Sequence, residues 1–562
     1  MTDPLGRPRV RFDQRATMRD GVTLSADVFL PSTGDGPWPA LLNRTPYDNI
    51  RHPEIATYFA AHGYAVVVQD VRGRGDSDGE FDSWRQEAAD GYDTVEWVAD
   101  QQWCSGAVVG YGGSYQSYCG WAAARERPPH LRALISRATS GIASLGVPHD
   151  LGAASPYWLW YFNLTAGRTL QAPLDGESPA LDWDRVLRSR PLAEMDVALG
   201  RSLPAWREFL ATQSGDAPIA AYDLDEVFTD LDLPVLHVTG WNDGAKWGEL
   251  RAWQRMNDGP KRRLQQLVIG PWDHYGTGAP NRTTMGVDFG EAAAVDLKAR
   301  MLEFLRCALD DGLESGHERV EYFVTGRNEW RSATSWPPAD LAEVTFFLDS
   351  DGGANSVAGD GRLSAEPTGP ADEFTHDPAN PHLSTEDLGT AFSAPRSLDD
   401  DRILARDDAL VYTSAPLERE LEIVGRPVVH LYAESDRVDT DFHVTLFTVD
   451  GTGSSRVVSR GWVRASYTRG AEFPRQLLER GQVHEYRVTL GDTAHRFAVG
   501  DRVRLIVASS NYPDVDVNPG TGAPLGADTT YVVARNTIHH HADRPSRLVL
   551  AACPAGEQRR KE

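Results

Sequence analysis

The run Val108-Val109-Gly110-Tyr111-Gly112-Gly113-Ser114-Tyr115-Gln116-Ser117 constrains this chain more than any other, because it reads as strand, tight turn and helix within ten residues. Two β-branched residues lead into glycines at 110, 112 and 113, a serine sits at the tip, and Ala122-Ala123-Ala124 continue a segment of good helix propensity. So sharp a turn needs glycine where a Cβ would collide, and the following helix aims its first N–H groups at whatever binds the serine. Ser114 is thus the candidate nucleophile of a nucleophile elbow; the competing reading is a Gly/Ser-rich turn with no chemistry. The pattern G-x-S-x-G is met only in its first half, since Gln116 stands where the second glycine belongs and the next small residue is Ser117. Gly75-Asp76-Ser77-Asp78-Gly79 fits the pattern letter for letter, but a carboxylate on each side of Ser77 would oppose an oxyanion, and no Ala-rich helix follows. Residues 70 to 79 read as a polar loop after a strand.

The elbow sits in an alternation of strands and helices. Val10 to Met18 and Val22 to Leu30 read as a hairpin turning at Asp20-Gly21. Ala40-Leu41-Leu42 is a short buried strand, Glu54 to Ala61 a helix, Ala65 to Asp70 a strand buried on both faces, and Ala88 to Gln101 a helix. Leu131 to Ile135 is a further strand. From about 141 to 230 the period is lost among helical and loop segments carrying Trp158, Trp160, Trp183 and Trp206, which predicts an inserted helical cap. Strands return at Leu233 to Gly240, Leu264 to Ile269 and Val320 to Val324, with helices between them. Beyond about 342 apolar alternation recurs in Val344 to Leu348, Val428 to Tyr432, Phe442 to Phe447, Arg502 to Val507 and Thr530 to Val533, the pattern of a β-sandwich, with 350 to 400 expected as long surface loops. The predicted fold class is therefore α/β: a core in two parts (1–140 and 231–341), a helical cap (141–230) and a C-terminal β-sandwich (342–562).

A length of 562 residues calls for several domains, and no run of 18 apolar residues marks a membrane span. The formal charge of −25 repels phosphates, so nucleic acid and anionic membranes are excluded as expected partners. A small-molecule ester or amide substrate is expected, and a homodimer is left open. The first residues lack the basic-then-apolar order of a secretory signal, and four cysteines at 104, 119, 307 and 553 show neither metal spacing nor a disulfide framework. Both point to the cytoplasm, unless a signal was removed.

A serine nucleophile needs a base and an orienting acid, placed after it in the order Ser, acid, His on loops that leave the strands. Asp243 in Gly240-Trp241-Asn242-Asp243-Gly244 and His274 in Gly270-Pro271-Trp272-Asp273-His274 occupy such positions. His274 would shuttle the Ser114 proton while Asp243 fixes the imidazole tautomer. One oxyanion donor is the Tyr115 amide; a second must come from the loop after the early strand, where Tyr47 presents a phenol. His539-His540-His541 lacks carboxylate or thiolate company in sequence, so no metal is expected, and the proposed chemistry needs no cofactor.

Arg44-Thr45-Pro46-Tyr47-Asp48, Asp70-Val71-Arg72-Gly73-Arg74-Gly75-Asp76-Ser77, Gly112-Gly113-Ser114-Tyr115, Gly240-Trp241-Asn242-Asp243-Gly244 and Gly270-Pro271-Trp272-Asp273-His274 together resemble the CocE/NonD hydrolases. That group includes cocaine esterase, α-amino acid ester hydrolases and Xaa-Pro dipeptidyl-peptidases. The resemblance spans nearly the whole chain and implies an α/β-hydrolase core, a helical cap and a C-terminal jelly roll. It also implies Ser114, Asp243 and His274 as a triad, Tyr47 and Tyr115 as the oxyanion hole, and a structural Ser77. The sequence departs at Ser117, where the family usually has glycine, which puts close packing of the elbow helix in question.

The expected function is ester hydrolysis through an acyl-enzyme by a serine carboxylesterase or acylase. Xaa-Pro dipeptidyl-peptidase or α-amino acid ester hydrolase activity is the alternative, and a catalytically silent sandwich that binds a ligand is the remote one. Asp243 is followed by Gly244, Ala245 and Lys246, which offers no acid for a substrate ammonium, while Pro156 to Phe162 supplies rings. Trp158, Trp160 and Phe162 are the candidates for lining an apolar acyl pocket, and neutral acyl esters are the expected substrates.

Overall fold

The hairpin about Asp20-Gly21 forms as β1 (Arg9–Thr17) and β2 (Thr23–Leu30), with Gly21 taking the left-handed φ of +85° that closes the turn. The computed structural model describes residues 6–49, 53–139, 153–171, 181–211, 224–258, 263–309, 319–384, 406–468 and 474–554. Next come β3 (Trp38–Thr45), α1 (Pro53–Ala61), β4 (Ala65–Asp70), α2 (Glu87–Ala99), β5 (Cys104–Gly113), α3 (Tyr115–Arg125) and β6 (Leu131–Arg137). The segment between the two halves of the core holds α4 (Tyr157–Leu164), α5 (Trp183–Leu187), α6 (Met195–Ala198), α7 (Pro204–Ala211) and α8 (Asp225–Asp230); its residues 140–152, 172–180 and 212–223 lie outside the described residues. The core resumes with β7 (Val235–Asn242), α9 (Lys246–Asp258), β8 (Gln265–Asp273), a short hairpin of β9 (Thr283–Thr284) and β10 (Val287–Asp288), α10 (Leu297–Ala308), β11 (Arg319–Val324) and β12 (Glu329–Ala333).

These strands make one ten-stranded sheet in the order β1-β2-β4-β3-β5-β6-β7-β8-β11-β12, parallel from β4 through β11 and antiparallel at both edges. Its two faces are buried by different helices. Val109, Tyr111, Ala133 and Ile135 pack with α1 and α10, while Val108 and Leu134 join α2, α3 and the inserted helices. Period-2 alternation of side chains thus places Tyr111 under one layer and its neighbour Gly110 under the other. The loops leaving the C-terminal ends of β3, β5, β7 and β8 therefore share one edge of the sheet, where open α/β folds bind ligands.

The remaining strands, from Ala342–Asp349 to Arg547–Ala552, form a second sheet of thirteen strands folded over one apolar core that includes Leu348, Phe374, Val429, Phe442, Leu505 and Leu550. Two expectations change here. Residues 350–384 contain the strands Arg362–Ser364 and Asp372–His376 rather than loop alone, and residues 385–400 lie outside the described residues. Thr530 to Val533 is irregular, and the strand begins at Ala534. Apolar alternation marks burial on one face, but only a paired neighbour makes a strand, and Asp372–His376 pairs with Ala534–His539. Among the described residues no helix is long and apolar enough to cross a membrane.

Candidate active site

Ser114 stands at the tip between β5 and α3 with φ +59° and ψ −125°, a conformation that costs an L-residue energy and that its surroundings hold in place. Its N–H donates to the Arg137 carbonyl at 2.9 Å, and its own carbonyl accepts from Tyr118 at 3.1 Å as the helix begins. The glycines before it are required by space: a Cβ on Gly112 would come within 2.5 Å of the Gln116 Cβ, and one on Gly110 within 2.6 Å of Leu134. Ser117 does not prevent close packing. Its hydroxyl bonds to that of Ser136 at 2.8 Å, and Ser136 in turn donates to Glu249 at 2.8 Å, so a buried polar chain occupies the place of a bare glycine contact.

Asp243 follows β7 and His274 follows β8, and the structure brings them together. Nδ1 of His274 lies 2.8 Å from Oδ1 of Asp243, whose carboxylate is buried while the imidazole is partly exposed. The same Oδ1 accepts the Ala245 N–H at 2.9 Å. A carboxylate facing Nδ1 assigns the proton to that nitrogen and leaves Nε2 as the base.

Tyr47 lies one turn beyond β3, the strand beside β5, and its phenol faces the hydroxyls of Ser114 and Tyr161. Burial pushes its pKa well above that of a free phenol, which keeps the hydroxyl protonated as a donor. The contact with Tyr161 is looser than a formed hydrogen bond, and the buried Tyr161 hydroxyl has no bonded partner among the described residues. Tyr115 opens α3, so its N–H is among the first helical amides that lack a carbonyl four residues back. The side chain after it ties the two donor loops together: Gln116 Nε2 donates to Thr45 Oγ1 at 3.1 Å, and that oxygen accepts the Tyr47 N–H at 3.0 Å.

The aromatic run from Tyr157 to Phe162 lies on α4. Trp158 and Phe162 are buried against Phe209, with ring centroids at 5.5 and 5.2 Å. Trp160 is half-buried and packs on Tyr157 at 5.1 Å. The residues of α4 that interact electrostatically with Tyr47 are Tyr157 and Tyr161. An interval of four keeps 157 with 161 and 158 with 162 on separate stripes, a distinction the unbroken aromatic run hides.

Ser77 is structural. Its fully buried hydroxyl donates to the Asp70 carbonyl at 2.7 Å and accepts the Ser25 N–H at 2.9 Å, which stitches the loop to β2. His540 corrects the reading of the histidine triplet as lacking carboxylate company: its Nε2 lies 2.9 Å from Asp372, which also accepts from Ser350 and Tyr412. The carboxylate comes from 168 residues away in sequence, on the strand that pairs with the one before His540. Among the described residues no group of three or more His, Cys, Asp or Glu is placed to hold a metal ion.

Residues 20–276 match the family described as X-Pro dipeptidyl-peptidase (S15 family), and residues 315–549 match the X-Pro dipeptidyl-peptidase C-terminal non-catalytic domain. The chain is 32% identical over 580 residues to the cocaine esterase of a Rhodococcus species, covering 97% of this chain and 99% of that one. Among solved structures, an α-amino acid ester hydrolase aligns over 98% of both chains with a TM-score of 0.85 at 24% identity. An aminopeptidase from the marine sediment archaeon Thaumarchaeota archaeon aligns over 99% of this chain and 98% of its own, also with a TM-score of 0.85 at 24% identity. The two structures share the fold; the esterase shares sequence along its whole length.

Proposed function

Because the chain belongs to the CocE/NonD family of serine hydrolases within the S15 peptidase group, we propose that it cleaves carboxylic esters of small molecules through an acyl-enzyme on Ser114. The observation that carries this reading is the 2.8 Å bond between His274 and a buried Asp243 on the sheet edge that also holds Ser114 in its strained turn. His274 Nε2 removes the Ser114 proton as Oγ attacks the ester carbonyl, and Asp243 stabilises the resulting imidazolium. The tetrahedral oxyanion is held by the Tyr47 hydroxyl and the Tyr115 N–H. His274 then protonates the departing alkoxide, and water, activated by the same imidazole, releases the acid.

Neutral acyl esters are the favoured class. The residues after Asp243 supply no carboxylate for a substrate ammonium, and the Lys246 ammonium is turned back onto the Trp241 carbonyl at 2.6 Å. The part of α4 that faces Tyr47 is phenolic, through Tyr157 and Tyr161. An α-amino acyl ester or Xaa-Pro peptide specificity is the second reading, favoured by the match to the S15 description. A cytoplasmic location belongs to the same proposal and is supported by four cysteines that are all free thiols.

Two measurements test this. A fluorophosphonate probe should label the parent protein and fail on Ser114→Ala; equal labelling would remove Ser114 as nucleophile. kcat/KM for phenylacetyl methyl ester should exceed that for phenylglycyl methyl ester, and a clear reversal would establish the amino-ester reading.

A further inference from the structure

On the face of the sheet that carries α1 and α10, a cleft of about 470 Å³ opens between the start of α1, the start of α10 and the loop that follows His274. Its floor is Tyr111 and Arg137, with the guanidinium carbon 5.4 Å from the centre of the Tyr111 ring. Two glycines fix that guanidinium in place: a Cβ on Gly113 would lie 3.1 Å from one terminal nitrogen, and a Cβ on Gly278 would lie 2.3 Å from the other. Arg137 is thus wedged between the turn that carries Ser114 and the loop that carries His274.

Other enclosed arginines are satisfied, Arg44 by Glu87, Arg190 by Asp516 and Arg464 by Asp441, and Arg74 by the carbonyls of Pro46 and Thr165. Arg137 has none among the described residues, and its Nε is buried without a hydrogen bond. In a chain with 81 acidic against 56 basic residues, a guanidinium without a carboxylate partner that lines a cleft can gain from an anion's charge and hydrogen bonds. The planar fork suits a carboxylate best. Lys298, whose ammonium lies 5.0 Å from the centre of the Tyr58 ring, adds a second cation to the lining. Of the two carboxylates there, Asp296 caps α10 through the Ala299 N–H at 3.0 Å, and Glu54 is exposed to solvent. Ile55, Pro280 and Leu297 give the walls an apolar character that inorganic ions do not use.

We propose that this cleft is an effector site for a small carboxylate with an apolar tail, the carboxylate on Arg137 and the tail against Ile55, Pro280 and Leu297. The acid released by ester hydrolysis is of that class. The site is separate from the triad yet contiguous with it, because Ser114 donates its N–H to the Arg137 carbonyl and the Thr277 hydroxyl donates to the His274 carbonyl at 2.7 Å.

The test is calorimetric titration of phenylacetate into protein whose nucleophile has been blocked with a fluorophosphonate, so that the catalytic pocket is occupied. One binding event is expected; it should weaken more than tenfold in Arg137→Met and in Ile55→Glu, and phenylacetamide and inorganic phosphate should bind more than tenfold more weakly. In the unblocked parent, phenylacetate should change kcat for a neutral ester with a saturation midpoint matching the titration. No binding to the blocked protein, equal binding of the amide or of phosphate, or unchanged affinity in the variants would overturn the site. An unchanged kcat at saturation would overturn its effector role. Ile55→Glu decides if Arg137→Met does not fold. If the probe fails to label at all, the nucleophile assignment falls instead, and comparison of the unlabelled parent with the two variants still decides the cleft.

Discussion

The Tyr115 hydroxyl donates to Oε1 of Glu87 at 2.9 Å, and Glu87 pairs with the Arg44 guanidinium, also at 2.9 Å, both partners being buried. Arg44 is the penultimate residue of β3, three residues before Tyr47, so one buried chain joins the two expected oxyanion donors from behind. Burial raises the Glu87 pKa, and Arg44 opposes that shift by favouring the ionised form. The same phenol accepts the Trp84 N–H at 2.8 Å.

Removing one partner should therefore cost more than removing a surface contact. Glu87→Gln leaves the buried Arg44 guanidinium with only the more distant Asp90, at 3.9 Å, as counter-charge and should destabilise the protein by about 3–5 kcal/mol. Tyr115→Phe strands the Trp84 N–H and should cost about 1–3 kcal/mol while its own backbone N–H stays in place. Chemical denaturation measures both, and a Glu87→Gln protein as stable as the parent would show that the pair contributes no net stability.

Asp243 has one strong partner in His274, and its value lies in the tautomer it imposes. Asp243→Asn should fold normally and lose about 10⁴-fold in kcat. Tyr47→Phe should lose about 10²- to 10³-fold in kcat with a smaller change in KM, since the donor acts on charge that develops in the transition state. Parent-like turnover in Tyr47→Phe would assign the second donor to another group.

The two stripes of α4 should separate stability from specificity. Trp158→Ala opens a cavity beside Phe209 and should cost about 3–5 kcal/mol, with KM in the surviving folded protein unchanged. Tyr157→Ala, at a half-buried ring that interacts with Tyr47, should instead raise KM for aromatic acyl esters at a smaller cost in stability. Steady-state kinetics alongside thermal unfolding distinguishes the two.

Acid sensitivity has an identifiable contributor in His495. It is buried against Phe497, and burial lowers its pKa to about 3 from 6.5. The unfolded chain binds the proton first, so this contribution is fully present above pH 6.5 and is lost as the pH falls toward 3. His495→Gln should lose less stability than the parent between pH 7 and 4.5, by up to about 3 kcal/mol. Parallel pH dependences of the two melting temperatures would place the histidine's ionisation outside the unfolding equilibrium.

The second sheet is fused to the first by buried aromatic surface. Trp241, two residues before Asp243, packs at 5.3 Å on Trp336, and both share a cluster with Val424 and Ala494 from the C-terminal sheet. A fragment of residues 1–341 should accordingly be insoluble or inactive. A soluble fragment with full turnover would show that the Asp243 loop needs no support from the sandwich.

What the sequence determined by itself is what is written locally. Glycines at 110, 112 and 113 before a serine specify a strained turn, Asp20-Gly21 specifies a hairpin, and continuous β-branched runs specify strands buried on both faces. The order Ser114, Asp243, His274 was legible because each residue directly follows such a run, and parallel strands bring all their C-terminal ends to one edge. Only the tertiary structure decided which distant groups meet. The strand order β4-β3-β5 sets Arg44 beside Glu87 and Thr45 beside Gln116, and the seat of α4 on the core turned Tyr157 and Tyr161 rather than Trp158 and Phe162 toward Tyr47. Asp372 reached His540, and Arg137 stayed unpaired between two glycines, through contacts that no local pattern carries. Periodicity reports which side of an element is buried; the partner on that side depends on how the elements are stacked, and that is a property of the whole chain.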